Sequence, residues 1–120
     1  MGANPLARQG GLSYLEIPST DAEASATFYA KVVGWKTHRD AKGVWKFEEA
    51  AGLLIGKWSS RPPGTTGFLP YVYVLDVRAA VGRAPGCGGA IVKPPTPEGD
   101  ILLAQVRDPA GNVLGLWQFA

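Results

Sequence analysis

Two stretches of this chain repeat one pattern: Gly52-Leu53-Leu54-Ile55-Gly56-Lys57-Trp58 and Gly111-Asn112-Val113-Leu114-Gly115-Leu116-Trp117. Both read Gly-x-aliphatic-aliphatic-Gly-x-Trp, one in each half of the chain. A glycine turn running into aliphatic residues and ending on Trp is a strand signal. Upstream of each lies a second shared landmark. Asp21 and Asp76 each follow an apolar run and stand where a helix would be capped. Gly34 and Gly89 follow those aspartates at one and the same spacing. Repetition at both landmarks marks a duplicated module.

The elements between the landmarks follow from local signals. Residues 12–17 read as a strand closed by Pro18, and Thr20 and Glu23 have capping-box spacing at the start of a helix. Ala24, Phe28 and Val32 recur at i, i+4 and i+8, predicting the apolar stripe of that helix, with Gly34 as its stop. Residues 35–39 and 44–49 read as a hairpin through Asp40-Ala41-Lys42-Gly43, and 53–58 as a fourth strand. In the second half, 68–75 is a strand, Asp76 opens a helix, and Pro85-Gly86 ends it. Strands follow at 89–93, 101–107 and 112–118, with Pro94 to Gly99 as a loop. Each half is β-α-β-β-β. The predicted fold class is α+β, two tandem βαβββ modules forming a curved mixed sheet around a concave cleft. One domain covers 1–120, with module 1 at 12–58, a linker at 59–67 and module 2 at 68–119.

Composition agrees with a small folded domain. The 120 residues are 46% hydrophobic, enough for a core and against disorder. Sixteen Gly and ten Pro favour short strands and turns over a helical bundle. Twelve basic and ten acidic residues give +2, too small and too scattered a charge for nucleic acid or an anionic membrane. The single Cys87 forms no internal disulfide and is expected to be a buried, inert thiol. No apolar segment in 1–11 reads as a signal peptide, and no run approaches the roughly 18 apolar residues of a membrane span. The expected location is cytoplasmic.

Leu15-Glu16-Ile17-Pro18-Ser19-Thr20-Asp21, then Phe28-Tyr29 and Val33-Gly34-Trp35, resembles the opening of vicinal oxygen chelate proteins. That superfamily includes glyoxalase I, bleomycin-resistance proteins and extradiol dioxygenases. Val106-Arg107-Asp108-Pro109-Ala110-Gly111-Asn112 resembles its DP-x-G turn before the last strand. Together with the duplicated order, the resemblance covers about residues 12–119. In metal-dependent members the ligands sit on the first and last strands of each module. The resemblance carries those places onto Tyr14, Gly56, Leu69 and Gly115. A hard divalent ion needs anionic oxygen or imidazole ligands, so these residues cannot chelate it and no metal cofactor is expected. The one histidine, His38, falls on another strand and reads as a surface residue.

Stepping by two from those places gives the residues expected on the concave face. They are Leu12, Tyr14 and Glu16, then Leu54, Gly56 and Trp58, then Leu69, Tyr71 and Tyr73, and finally Val113, Gly115 and Trp117. Tyr14, Glu16, Trp58, Tyr71, Tyr73 and Trp117 are the candidate ligand-binding residues. Trp58 and Trp117 are expected as paired walls, and Gly56 and Gly115 as spaces left by missing side chains. Two readings stay open: the aromatics fill a closed interior or dimer seam, or they line a cleft that stacks a flat or apolar molecule. Glu16 is either a satisfied structural carboxylate or a ligand-binding or acid/base group. Trp45 and Phe47 read as core or interface, and Gln105 as a residue of uncertain facing.

The resulting functional expectation is a metal-free, bleomycin-resistance-like protein binding a planar or hydrophobic small molecule. The alternative is a glyoxalase-like lyase or a dioxygenase, either metal-dependent or using Glu16. The resemblance implies a homodimer, for which Trp35 and Trp45 are the expected interface aromatics.

Overall fold

The computed structural model describes residues 4–60, 67–107, 109 and 111–120. Its elements run β1 (Leu12–Pro18), α1 (Ala22–Val33), β2 (Lys36–Arg39), β3 (Trp45–Glu48), β4 (Ile55–Ser59), β5 (Leu69–Tyr73), α2 (Val77–Arg83), β6 (Ala90–Glu98), β7 (Ile101–Arg107) and β8 (Val113–Phe119). This is the predicted α+β fold of two βαβββ modules. Residues 61–66 of the predicted linker, and Asp108 and Ala110 of the DP-x-G turn, lie outside the described residues. Two compact units emerge, Tyr14–Leu69 and the pairing of Met1–Ser13 with Pro70–Ala120.

In the first unit the strands lie in the order β2-β3-β4-β1, with β1 and β4 parallel and the rest antiparallel. Asp21, not Thr20, caps α1: its Oδ1 accepts from the Ala24 N–H at 3.1 Å, while Ser19 Oγ accepts from the Asp21 N–H. Gly34 ends the helix in the left-handed conformation, φ 77°, as predicted. The expected stripe is wrong. Phe28 and Val32 are 57% and 62% exposed, and Ala22, Ala26 and Tyr29 face the sheet instead. The sheet supplies bulk there through Phe47, Trp58 and Trp45, with Trp35 just before β2, and the helix closes on it with two alanines and one ring, Tyr29. Trp35 stacks between Tyr29 (4.9 Å) and Phe47 (4.6 Å), and it and Trp45 are partly buried members of this cluster.

The β2–β3 turn forms as read. Asp40 Oδ1 accepts from the Lys42 and Val44 N–H groups, both at 2.9 Å, and Gly43 takes φ 84°. The Val44 hydrogen bond, helped by Lys46 at 3.2 Å, holds the Asp40 carboxyl below its ordinary value of 3.8.

In the second unit the order is β5-β8-β7-β6, with β5 and β8 parallel. Asp76 caps α2 by accepting from the Ala79 N–H at 3.0 Å. Val77 and Val81 of the helix pack on Val74, Ala104 and Leu116, with Val72 and Leu114 beside them. Two expectations fail here. The predicted loop at Pro94 to Gly99 belongs to β6, which pairs with β7 through register shifts on both sides of Lys93. Being the end strand of this sheet, β6 leaves one side of its backbone without a ladder partner, so proline costs it no hydrogen bond there. Cys87 is exposed rather than buried, in the 3-10 turn Pro85–Cys87 that follows α2.

Candidate functional site

The parallel registers fix which side chains share a face. In the first module Leu15 pairs with Gly56 and Ile17 with Trp58, and Ile17 packs under α1. Gly56 and Trp58 therefore face the helix, one residue out of step with the expected concave face. Trp58 is 3% exposed, with Phe47 at 4.9 Å and Tyr29 at 5.7 Å, and its Nε1–H finds no acceptor among the described residues. It also lines a groove of about 430 Å³ beside Trp45, Ser19 and Thr20 at the start of α1.

The error traces to the repeat. Ile17 and Val72 are equivalent when the caps Asp21 and Asp76 are superposed, and their register partners are Trp58 and Leu116. Trp58 thus corresponds to Leu116, not Trp117, and Lys57 corresponds to Gly115. The matching Gly-x-aliphatic-aliphatic-Gly-x-Trp strings are offset by one position in the fold. In module 1 the Glu49 carboxylate accepts from the Ala51 and Leu53 N–H groups, both at 2.8 Å. That turn absorbs Leu53, so β4 starts at Ile55.

The predicted empty spaces are filled as well. A Cβ on Gly56 would overlap Phe47 and the Leu15 carbonyl, and one on Gly115 would overlap the Tyr71 ring. Each glycine is the seat of a neighbouring aromatic.

In the second module the facing holds. Tyr71 pairs with Gly115 and Tyr73 with Trp117, on the side of the sheet away from Val72, Leu116 and α2. Trp117 donates its Nε1–H to Ser13 Oγ at 2.7 Å, and Ser13 is 1% exposed. Tyr73 packs edge-on to Trp117 at 5.0 Å and Phe119 does so at 5.1 Å. The Gly10 N–H bonds to the Tyr73 carbonyl at 2.9 Å, and the Tyr73 N–H to that of Gly11 at 3.1 Å, so the N-terminal segment braces this strand. Gln105, opposite Gly115 on β7, donates to Tyr71 Oη at 3.0 Å. The result is a half-buried aromatic face with an amide–phenol pair next to it. Ser13 and Phe119 were not among the predicted site residues. A Trp at an i, i+2 spacing from Phe119 was the available signal for the latter, while the Ser13 contact is long-range and has none.

On the first module, Tyr14 and Glu16 do lie on the side away from α1, as predicted, and Glu16 is the register partner of Lys57. His38 is exposed on β2, as expected. The four family ligand places, corrected by register, hold Tyr14 and Lys57 in one module and Leu69 and Gly115 in the other. An ammonium, a hydrocarbon and a bare backbone do not fit a divalent cation. Among the described residues no group of three or more His, Cys, Asp or Glu could hold one.

Comparison with known proteins agrees with this architecture. A family model described as a glyoxalase-like domain matches residues 15–116. The curated "Putative glyoxylase CFP32" of Mycobacterium bovis is 29% identical over 92% of this chain, which spans 46% of that protein's length. Among solved structures, a glyoxalase/bleomycin resistance protein/dioxygenase superfamily member from Vibrio splendidus superposes with a TM-score of 0.67 at 15% identity, covering 90% of this chain and 99% of that one. The hypothetical protein BH1468 from Bacillus halodurans does so with a TM-score of 0.69 at 14% identity, over 94% and 96%. With more than four-fifths of its length matched by the family model, this chain belongs to the glyoxalase-like domain family, within the vicinal oxygen chelate superfamily.

Proposed function

We propose that the protein is a metal-free, cytoplasmic, homodimeric binding protein that holds a planar or hydrophobic small molecule on the aromatic face of its second module. The observation that carries this reading is the preset orientation of Trp117, tied to Ser13 and packed edge-on by Tyr73 and Phe119 while still partly exposed. A ring held that way loses little rotamer freedom when a flat ligand stacks on it. Tyr71 and Gln105 supply the polar contact that orients such a ligand. Trp58 has no part in this reading, because its ring is committed to α1.

The test is a thermal-shift screen against aromatic metabolites and antibiotics. A ligand at 100 times its Kd adds about 2.7 kcal/mol of stability. Trp117→Ala then weakens a planar hit by about 1–3 kcal/mol, the usual cost of one lost stacking contact. A hit that binds Trp117→Ala as tightly as the parent protein refutes the site.

A second reading is enzymatic, and the relative named as a glyoxylase favours it. Under that reading Glu16, on the same face as Lys57, is the acid/base candidate. Stoichiometric Zn, Ni, Mn or Fe kept through dialysis refutes the metal-free reading and favours a metal-dependent enzyme.

A further inference from the structure

The groove at the start of α1, about 430 Å³ in volume, is lined by Trp45 on β3, Trp58 on β4, and Thr20 and Ala22 at the entry to the helix. Trp45 and Trp58 belong to the cluster that faces α1, so the groove lies on the helix side of the first module's sheet, opposite Tyr14 and Glu16. Lys57 borders it too, but its side chain belongs to the opposite face, with that of its register partner Glu16. Trp58 is 3% exposed, and its Nε1–H has no acceptor among the described residues. Its packed neighbours Ile17, Ala26 and Phe47 offer only hydrocarbon side chains, and Tyr29 meets it ring to ring at 5.7 Å. The groove's hydroxyl at Ser19 is already engaged by Ser25 Oγ at 2.7 Å and by the Asp21 N–H at 3.1 Å. A buried donor without an acceptor is unfavourable, and the groove is the side from which one can reach this indole.

We propose that this groove binds a small neutral amide or lactam, whose carbonyl oxygen accepts from the Trp58 Nε1–H. Ala22 adds a second donor. It is the first residue of α1, so its N–H has no acceptor within the helix. The Asp21 cap leaves it open, because the carboxylate takes the Ala24 N–H and the carbonyl takes the Ser25 N–H. Val44 and Trp45 give the carbon part of the ligand an apolar surface. Charge selects against an anion. Lys57 is the one ionisable residue among those lining the groove, and its ammonium is on the other face. The Asp21 carboxylate, in contrast, stands at the helix start beside Ala22, so a carboxylate ligand would meet like charge with no cation to offset it. The inference rests on the first module alone, whatever the second module binds.

The probe is butyrolactam, with butyrate as its charged counterpart; neither has an aromatic ring to stack on Trp117. The readout is the indole N–H NMR signals of the four tryptophans in isotope-labelled full-length protein, assigned by through-bond experiments. Butyrolactam is expected to move the Trp58 indole proton downfield and saturably, together with the Ala22 amide. The Trp117 indole, already bonded to Ser13, stays in place, and butyrate moves neither. Trp58→Phe keeps a ring and loses the donor. It is expected to weaken butyrolactam about fivefold or more, followed through the Ala22 amide, the effect of one lost hydrogen bond. Trp117→Ala leaves butyrolactam binding unchanged, which separates this site from the proposed aromatic one. A Trp58 signal that does not move or does not saturate, an equal shift from butyrate, or full affinity in Trp58→Phe would each overturn the proposal. The first two are read on the unaltered protein and so do not depend on any variant folding.

Discussion

Replacing Trp58 tests whether its indole belongs to the core of the first module. If it lined an open cleft, Trp58→Ala would cost little stability. In the structure it is 3% exposed, in register with Ile17 and wedged among Phe47, Tyr29 and Ala26. The stack of Tyr29, Trp35 and Phe47 around it is already closely spaced and cannot close over the space left by an indole. Trp58→Ala should therefore cost about 3–5 kcal/mol, the range for a large aromatic replaced in a core that relaxes poorly. Trp58→Phe is the informative partner. It keeps a ring in the same place and removes the Nε1–H, which has no acceptor among the described residues. Relief of that buried donor, about 1–3 kcal/mol, offsets the smaller ring's lost apolar contact, so the net change should stay within about 1 kcal/mol. The assay is urea unfolding followed by far-UV circular dichroism, since four tryptophans make emission ambiguous. A cost below about 1 kcal/mol for Trp58→Ala, or equal costs for Ala and Phe, would refute the core assignment.

Three other outcomes are expected. Gly115→Ala forces a methyl into the Tyr71 ring and should cost about 1–3 kcal/mol, with loss of the Tyr71–Gln105 contact visible as a shifted Gln105 side-chain amide signal; an unchanged melting curve counts against the packing described here. The Asp40 carboxyl is held below its ordinary value of 3.8 when folded, so its contribution is fully present above that pH and is lost as pH falls through the lower folded value. Asp40→Asn should flatten that acid limb of the stability curve, and identical acid limbs for both proteins would disprove the coupling. The proposed homodimer should sediment well above the 12.7 kDa of one chain at micromolar concentration, and a single species at the monomer mass rejects it.

Much of the fold could be read from local chemistry. Asp76, Gly34 and the Asp40–Gly43 turn act through contacts close by in the chain, so their types and spacing suffice. The α1 stripe could not be read that way. Ala24, Phe28 and Val32 form a better apolar series than Ala22, Ala26 and Tyr29 when the helix is viewed alone. The choice belongs to the packing around the helix, which takes two alanines and a single ring, Tyr29, against Trp35 and Trp58. The β6 prolines give the same lesson in reverse. They signal a break only if both sides of the strand must donate, and an end strand has one side without a ladder partner.

The site was lost and kept by the same cause. Facing along a strand depends on parity, so one residue taken up by a turn exchanges the two faces of everything after it. In module 1 the Glu49 carboxylate caps a turn that runs through Gly52 and Leu53, and this puts Lys57 where the string match puts Gly56. In module 2 the count from turn to strand agrees with the string, and Tyr71, Tyr73 and Trp117 share a face as expected. The duplicated Trp was thus a coincidence of letters, while the duplicated Asp caps were a true equivalence, because a cap is fixed to the helix it starts. The consequence reaches the chemistry. The position that the string match treats as a missing side chain carries the Lys57 ammonium instead, and a cation at that place repels a metal ion.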